Sequence, residues 1–377
     1  MAKQILQLAD NKSHKLFYAP NAKVEVAGKN LLSHCLEVAS VTVEDNLKGM
    51  NRFTFVINHA FDLVNREFIS LHFPQSDLPM PNGRLDKFFS FGKEVKIYIG
   101  YLDKLKLMMT GIITSVRTGF SAGQTPSLTV TGHDKAYKMS RAKRTSLSWS
   151  KMKDSDIVSK IAGEHGLGAV VVDTQVENPR VDQDQETDMG FVERLAKRNG
   201  YEFYVRDDKL FFCPPRNDEA GKIELEWGVS LLSFTPELNL ADQIEKVEVH
   251  GWNEDAKAPI VGEAGVNDEP GRDGGRSSGG EFVKKAFGGD ATFRIRQPVY
   301  SKEEADRVAK SILKNRSESF IKATADSIGL PEIHSDMNIK LNGLGERFST
   351  TYYVEQATHK VDPSGYKTTF KVKDVTI

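Results

Sequence analysis

The sequence predicts a mainly β chain with a small α/β insert. Three observations carry this. Most of the first 140 residues are short β-branched or aromatic runs separated by turn residues. From about 145 to 200 the apolar period changes from two to that of a helix. From about 232 short strands return, with one strongly patterned helix among them.

The first series is read as follows. Val24 and Val26, then Val38, Val41 and Val43, lie in β-branched stretches. Phe53-Thr54-Phe55-Val56-Ile57 follows a turn at Lys48-Gly49-Met50-Asn51. Val95 to Ile99 alternates with period two and runs into turn residues at Gly100 and Asp103-Lys104. Met108 to Ile113 and Leu128 to Gly132 complete the series. Short strands joined by turns suit a sandwich or barrel. Pro74 to Asn82, with three prolines, reads as a loop.

In the insert, Ile157, Val158, Ile161 and Ala162 share one helical face. Asp154 or Ser155 can cap its start, and Gly166 can stop it. A second helix carries Phe191, Val192, Leu195 and Ala196, with Thr187 or Asp188 at its start and Asn199-Gly200 at its end. A strand pair follows, Glu202 to Val205 and Leu210 to Phe212, joined by Arg206 to Lys209.

Strand then resumes at Leu232-Ser233-Phe234 and at Ile244 to Trp252. The 29 residues from Gly262 to Asp290 contain nine glycines, with Pro259 and Pro270 nearby. So few apolar groups do not offset ordering entropy, and the segment reads as a mobile surface loop. Ser301-Lys302-Glu303-Glu304 has the spacing of a capping box. Ala305, Val308, Ala309, Ile312 and Leu313 continue it as one apolar helical face. Ile339 to Leu341, Thr350 to Val354 and Thr368 to Val372 return to strand.

Composition excludes several classes. The 377 residues carry 51 Lys and Arg against 52 Asp and Glu, a formal charge of −1. A general nucleic-acid binder needs a basic excess to neutralise phosphates. No apolar run reaches the roughly 18–20 residues of a membrane span. The N-terminus lacks the apolar core of a signal peptide. Cys35 and Cys213 are isolated, which leaves no disulfide framework and no CxxC site.

The search for chemistry nominates no catalytic, metal-binding or cofactor-binding residue, and no cofactor is expected. Nine histidines include no HxxxH or HExxH, and GxSxG, Walker and Rossmann patterns are missing. His133 and His165 read as solvated or locally hydrogen-bonded. Asp182, Asp184, Glu186 and Asp188, with Glu193 at the twelfth place, mimic an EF-hand spacing. Thr187 stands where that loop needs glycine, so an acidic approach to a helix N-terminus is the simpler reading. Trp149, Trp227 and Trp252 are scattered. Lys138, Arg141, Lys143 and Arg144 read as a solvated face.

The order of motifs nevertheless resembles a known family. Leu128-Thr129-Val130-Thr131-Gly132-His133-Asp134 resembles the L-x-V-x-G-x-D strand end of phage late control D proteins, the baseplate hubs of contractile tails. Ser146 to Trp149 followed by Ser155 to Val158 is similar to that family's entry into its first insert helix. Gln185 to Ala196 resembles its Q-x-x-T-D-x-x-F-L-x-R-L-A helix, with Val192 in place of the usual leucine and Gly200 closing it. Leu210 to Pro215 is similar to the following strand. Gly343-Leu344-Gly345, Phe348-Ser349, Tyr352-Tyr353-Val354, His359 and Gly365 to Phe370 match the last barrel segment in type and order. The Gly262–Asp290 segment has no counterpart.

The resemblance implies two tube-protein-like β-barrel domains plus a small α/β insert domain. The first barrel would be residues 1–144 with 201–231, the insert 145–200, and the second barrel 232–377 with helix 301–316 and the flexible loop 262–290. It marks Gly132, Asp134, Trp149, Thr187, Asp188, Phe191, Leu195, Gly200, Gly343, Tyr353, His359 and Gly365 as structural or assembly positions. It implies a non-enzymatic homotrimeric ring that adapts a hexameric tail tube to a trimeric spike. The expected partners are the spike protein, a tail tube ring and other baseplate proteins, with a tape-measure protein or cargo in the lumen. Neither membrane insertion nor specific nucleic-acid binding is expected. The related type VI secretion protein VgrG fuses hub and spike, whereas this sequence stops near its second barrel and implies a separate spike. Assembly would begin in the bacterial cytoplasm and end in the baseplate of a phage tail or injection particle. A tail-associated cell-wall hydrolase and a calcium- or ligand-binding module are the competing readings. A balanced overall charge is compatible with a polarised lumen, since 51 cations and 52 anions can segregate fully.

Overall fold

A computed structural model describes residues 19–34, 36–47, 49–58, 61–62, 66–68, 88–120, 122, 126–141, 146–216, 221, 223–253, 257–288 and 291–377. Cys35, the 74–82 loop, Lys143 and Arg144 lie outside the described residues.

Period-two patterning builds the first β region. Its strands are β1 (Pro20–Val26), β2 (Lys29–Asn30), β3 (Val38–Asn46), β4 (Arg52–Ile57), β5 (Phe61–Asp62) and β6 (Glu67–Phe68). They continue as β7 (Glu94–Tyr101), β8 (Lys104–Gly119) and β9 (Ser127–His133). Phe53, Phe55 and Ile57 of β4 face the same core as Val95, Ile97 and Ile99 of β7 and Val130 of β9. Burying each such phenylalanine or isoleucine contributes about 1.5–3 kcal/mol.

The insert runs through α1 (Ala136–Arg141), β10 (Leu147–Lys153), α2 (Asp154–Glu164), β11 (Gly168–Val171), β12 (Glu177–Gln183) and α3 (Asp188–Asn199). It does not stop at residue 200. Strands β13 (Glu202–Arg206) and β14 (Lys209–Cys213) form its sheet with β11, in the order β11-β14-β13. Phe203, Leu210 and Phe212 pack among Ile157, Ile161, Phe191 and Leu195. Their apolar faces thus meet the insert helices instead of the first β core to which the sequence reading assigned residues 201–231.

The remaining elements are β15 (Ile223–Glu226), β16 (Leu231–Leu238), β17 (Lys246–Asn253), β18 (Ala258–Gly265), α4 (Gly279–Phe287), β19 (Thr292–Arg296) and α5 (Lys302–Ser317). They end with β20 (Ile321–Ile328), β21 (Met337–Asn342), α6 (Gly345–Phe348), β22 (Thr351–Asp362) and β23 (Gly365–Asp374). Residues 223 to 226 pair with β21, so they too belong with the second β region.

One 13-stranded sheet joins both β regions, in the order β16-β20-β23-β22-β3-β4-β9-β8-β7-β1-β2, with β21 and β15 branching from β22. Strand β22 makes the join. Its Val354 pairs with Met337 of β21, and its Gln356 to Val361 pair with Asn46 to Val41 of β3. A bulge between Val354 and Gln356 re-aims the strand between the two cores. Tyr352, Val354 and Ala357 enter the second core, while Val361 packs against the first.

The glycine-rich 262–290 segment is not a mobile loop throughout, as the sequence reading had it. It holds the end of β18 and the helix α4. The glycines serve close approach. A Cβ on Gly262 would lie 2.2 Å from the Ala305 carbonyl carbon of α5, and one on Gly280 would lie 2.5 Å from the Ile244 oxygen. Ser278 and Glu281 form a capping box at the start of α4, and Phe282 places its ring 5.9 Å from Phe320. Strands β17, β18 and β19 form a separate sheet covered by α5, whose Ala305, Val308, Ala309 and Leu313 meet Val247, Val249 and Ile260. Each β region therefore carries its own α/β unit. No described helix is long and apolar enough to cross a membrane.

Candidate functional site

The residues that bring the three regions together converge on the turn Gly329 to Asp336, between β20 and β21. The first β region contributes Tyr101, whose hydroxyl donates to the Gly329 carbonyl at 2.6 Å, and Lys106, whose Nζ donates to the Pro331 carbonyl at 3.2 Å. From β3, the Asp45 carboxylate accepts from the Ser335 N–H at 3.0 Å and from its hydroxyl at 2.8 Å. Arg206 of the insert reaches the same place, donating to Asp45 Oδ2 at 3.2 Å and to the Ser335 carbonyl at 3.0 Å. Burial opposes charge on Asp45, but Arg206 and the Ser335 hydrogen bonds outweigh it and hold the carboxyl below its usual range.

Asp336 occupies the left-handed region with φ 57° and is 1% exposed. Tyr204 of the insert and Tyr353 of β22 both donate their hydroxyls to it at 2.8 Å. Arg216 adds an ion pair at 3.2 Å. Burial pushes both tyrosines well above their ordinary pKa, so they remain donors across the working pH range.

His359 closes the far side. Its Nε2 lies 2.9 Å from the Ile333 carbonyl, and its Nδ1 lies 2.8 Å from the Tyr366 hydroxyl. A carbonyl can only accept, which places the proton on Nε2 and leaves Nδ1 to accept from tyrosine. Burial lowers this imidazole to about 4, so it is neutral. His334 is lowered too, by burial and by Arg206.

Asp134 ties the end of β9 to the insert. It accepts from the Ala136 N–H at the start of α1 and from the Asn51 N–H, both at 3.0 Å. Asn51 in turn donates to the Val205 carbonyl at 2.9 Å. Burial raises the Asp134 carboxyl to about 7 against those two N–H groups. A cavity of about 250 Å³ lies among Asp45, Asn51, Asp134, Arg206, His334 and His359.

A second joint links α5 to the insert and to β23. Lys314 donates to Glu202 at 2.9 Å and to the Gly200 carbonyl at 2.9 Å. Lys373 pairs with Glu318 at 2.8 Å and lies 3.9 Å from Glu202. All four side chains are at most 9% exposed. Burial works against the charge on Lys373, and the carboxylates of Glu318 and Glu202 outweigh it.

The structure divides the motif positions into two groups. Tyr353 and His359 meet at the turn, Asp134 lines the cavity beside it, and Gly200 joins the second joint. The others serve local structure. Gly132 leaves room for the Phe53 ring, since a Cβ there would lie 2.2 Å from it. Thr187 caps α3 through Gly190, and Asp188 holds Gln183 and His165, each at 2.8 Å. Phe191 and Leu195 are fully buried in the insert core, against which Trp149 packs half-buried. Gly343 and Gly365 have positive φ at turns beside β21 and β23.

Asp45, Tyr204, Arg206, Ser335 and Asp336 were not singled out by sequence. They lie in separate elements, and the turn that gathers them has only Gly329 and Pro331 as local signals. The EF-hand-like carboxylates are engaged by protein groups: Asp182 by Arg180 and Ser148, Asp184 by Ser146, and Glu186 by Arg194. Burial pushes the Cys213 thiol up to about 11, a poor nucleophile at neutral pH. The charged groups at both joints are thus engaged in holding other elements in place.

Comparison with known proteins gives this architecture a context. The model of the family described as Alg8 N-terminal domain matches residues 19–363. The 43 kDa tail protein of prophage MuSo2 from Shewanella oneidensis has the same fold, with TM-score 0.67 at 13% identity over 94% of this chain and 100% of that one. The tail protein from Neisseria meningitidis MC58 matches with TM-score 0.67 at 14% identity, over 95% of this chain and 97% of its own. A protein of Escherichia phage 186 described as "Probable baseplate hub protein" is 34% identical over 87 residues, which is 22% of this chain and 22% of that protein. Matched by the family model over most of its length, the chain belongs to the Alg8 N-terminal domain family and has the fold of phage tail and baseplate hub proteins.

Proposed function

We propose that this protein is the structural hub of a contractile-tail baseplate, a trimeric ring that adapts a hexameric tube to a trimeric spike. The observation that carries the reading is the pair of β regions in one sheet, each with its own α/β unit. Three such chains offer six related β regions, the number a sixfold tube requires. Heterologous contacts between copies close such a ring at threefold symmetry.

The role is mechanical and non-enzymatic. A hub transmits load between tube and spike, which requires its two β regions to keep a fixed relation. The joint at Gly329–Asp336 supports this, because groups from three parts of the chain meet on one turn. The motif positions act in that scheme as structural and assembly residues. The spike protein, tube ring and neighbouring baseplate proteins are the partners, with lumen cargo at the ring's centre. Assembly starts in the cytoplasm and ends in the particle.

Immunogold labelling of intact particles tests the placement. The account expects label at the end of the tube that meets the spike. Label along the shaft or on the head would overturn it. A peptidoglycan zymogram tests the non-enzymatic part. Clearing that is lost on substituting a single Asp or Glu would contradict it.

A further inference from the structure

A cleft between the insert and α5 contains a cation with no protein acceptor among the described residues. The cleft measures about 360 Å³ and is lined by Asn199 and Pro215 on the insert side, by Pro270, and by Arg307 and Lys310 of α5. The Nε, Nη1 and Nη2 atoms of Arg307 are all buried and meet no protein acceptor. Burial works against its charge, Asp154 offsets part of that, and Arg198 opposes the charge again. On the insert side, Asn199 Oδ1 is likewise buried without a donor. Its Nδ2 is committed to Asp154 at 2.6 Å and to the Leu195 carbonyl at 2.8 Å, which fixes the orientation of the amide.

The acids around the cleft are engaged elsewhere. Asp154 serves Arg198, Asn178 and Asn199. Asp268 accepts from the Gly265 N–H and pairs with Lys310, each at 3.0 Å. Glu304 accepts from the Tyr300 N–H and Asp306 from the Glu263 N–H, each at 2.9 Å, and Glu303 is held by the Ser301 hydroxyl. Water satisfies a guanidinium nitrogen but leaves its charge uncompensated, and an unpaired buried charge is costly. Departures of this kind from the rule that buried polar groups are paired concentrate at functional positions.

We infer that this cleft is a binding site for an acidic side chain of another polypeptide, whose carboxylate pairs with Arg307. A guanidinium presents a planar fork that a carboxylate meets with two parallel hydrogen bonds. The Asn199 oxygen needs a donor at the same time, and a peptide supplies one from its backbone N–H groups. A phosphate dianion is disfavoured, because Asp268, Glu303 and Asp306 also line the cleft and repel it. Entry asks for little rearrangement at the rim. Lys310 is 56% exposed, and its pair with Asp268 is of the surface kind that contributes little to stability. The inference concerns one chain and one cleft, so it does not depend on the ring reading.

The test titrates the full chain with acetyl-Gly-Glu-Gly-amide and with acetyl-Gly-Gln-Gly-amide at millimolar concentrations. Calorimetry reads affinity, and the Arg307 Nε–H resonance reports on the site. The glutamate peptide should shift that resonance saturably and bind on the order of tenfold more tightly than the glutamine peptide. Arg307→Met should abolish this selectivity. Arg307→Lys keeps the charge but loses the fork, and should reduce it. Lys340→Met removes an exposed cation on β21, outside the cleft lining, and should leave it unchanged. Thermal melting of each unliganded variant checks that it folds. Equal affinity for the two peptides, no resonance shift with either, or undiminished selectivity in Arg307→Met would overturn the proposal. Acetate or inorganic phosphate binding as tightly as the glutamate peptide would also overturn it, by assigning the cleft to a free anion.

Discussion

Asp45 and Ser335 stand 290 residues apart in sequence and share two hydrogen bonds, at 3.0 and 2.8 Å. Together with Arg206 they fasten the first β region and the insert to a turn of the second β region. Asp45→Ala leaves the Arg206 guanidinium and two Ser335 donors short of an acceptor. Leaving such partly buried donors without an acceptor costs about 1–3 kcal/mol. Urea unfolding should show this loss. A change below about 0.5 kcal/mol would mean that the turn is held without Asp45.

The pH dependence of stability should contain two opposed contributions. His359 is lowered to about 4 from 6.5, so between those values the unfolded chain binds a proton that the folded one refuses. Its contribution is complete above 6.5 and is lost as pH falls toward 4. Asp134 is raised to about 7 from 3.8, so the folded chain keeps a proton that the unfolded one has released. Its contribution is present below 3.8 and is lost as pH rises through 7. Urea midpoints between pH 4 and 8 should therefore fall more steeply with rising pH in His359→Gln than in wild type, and less steeply in Asp134→Asn. Parallel profiles for all three proteins would refute both assignments.

The joint formed by Lys314, Glu202, Lys373 and Glu318 should be asymmetric to mutation. Lys314→Ala strips Glu202 of its nearest cation and should cost about 3–5 kcal/mol. The double change Lys314→Met with Glu202→Leu removes both charges and should recover a large part of that loss. A double-mutant cycle measures the coupling, and a coupling near zero would show that the two residues act independently.

Arg307 on α5 presents the reverse case. Its Nε, Nη1 and Nη2 are buried with no hydrogen-bond acceptor, and burial lowers its pKa. The nearby Asp154 is already engaged by Arg198, Asn178 and Asn199. Arg307→Met keeps a long apolar stem and removes an unpaired charge, so it should stabilise the protein by about 1–3 kcal/mol. A destabilisation measured by thermal melting would show that Arg307 has an energetic role beyond packing.

Local patterns made much of the fold legible in sequence. Thr187 and Gly200 bound α3 as their residue types indicate, and Gly166 stops α2 with φ 67°. Ser301 caps α5 through the Glu304 N–H, although the Glu304 carboxylate reaches the Tyr300 N–H and not that of Ser301. Asp154 looked like a cap for α2, yet its carboxylate turns inward to Arg198, Asn178 and Asn199. The glycines at 262 and 280 looked like flexibility because composition cannot distinguish a free backbone from a closely approached one. The turn at 329–336 was illegible for a related reason. Its partners come from sites up to 290 residues away, and no local period encodes such pairings.

The most direct test of the hub account is the mass of the full chain in solution. Sedimentation analysis at assembly concentration, with and without the spike protein, should find three chains in one closed species. A species that stays monomeric even with the spike present would contradict the account.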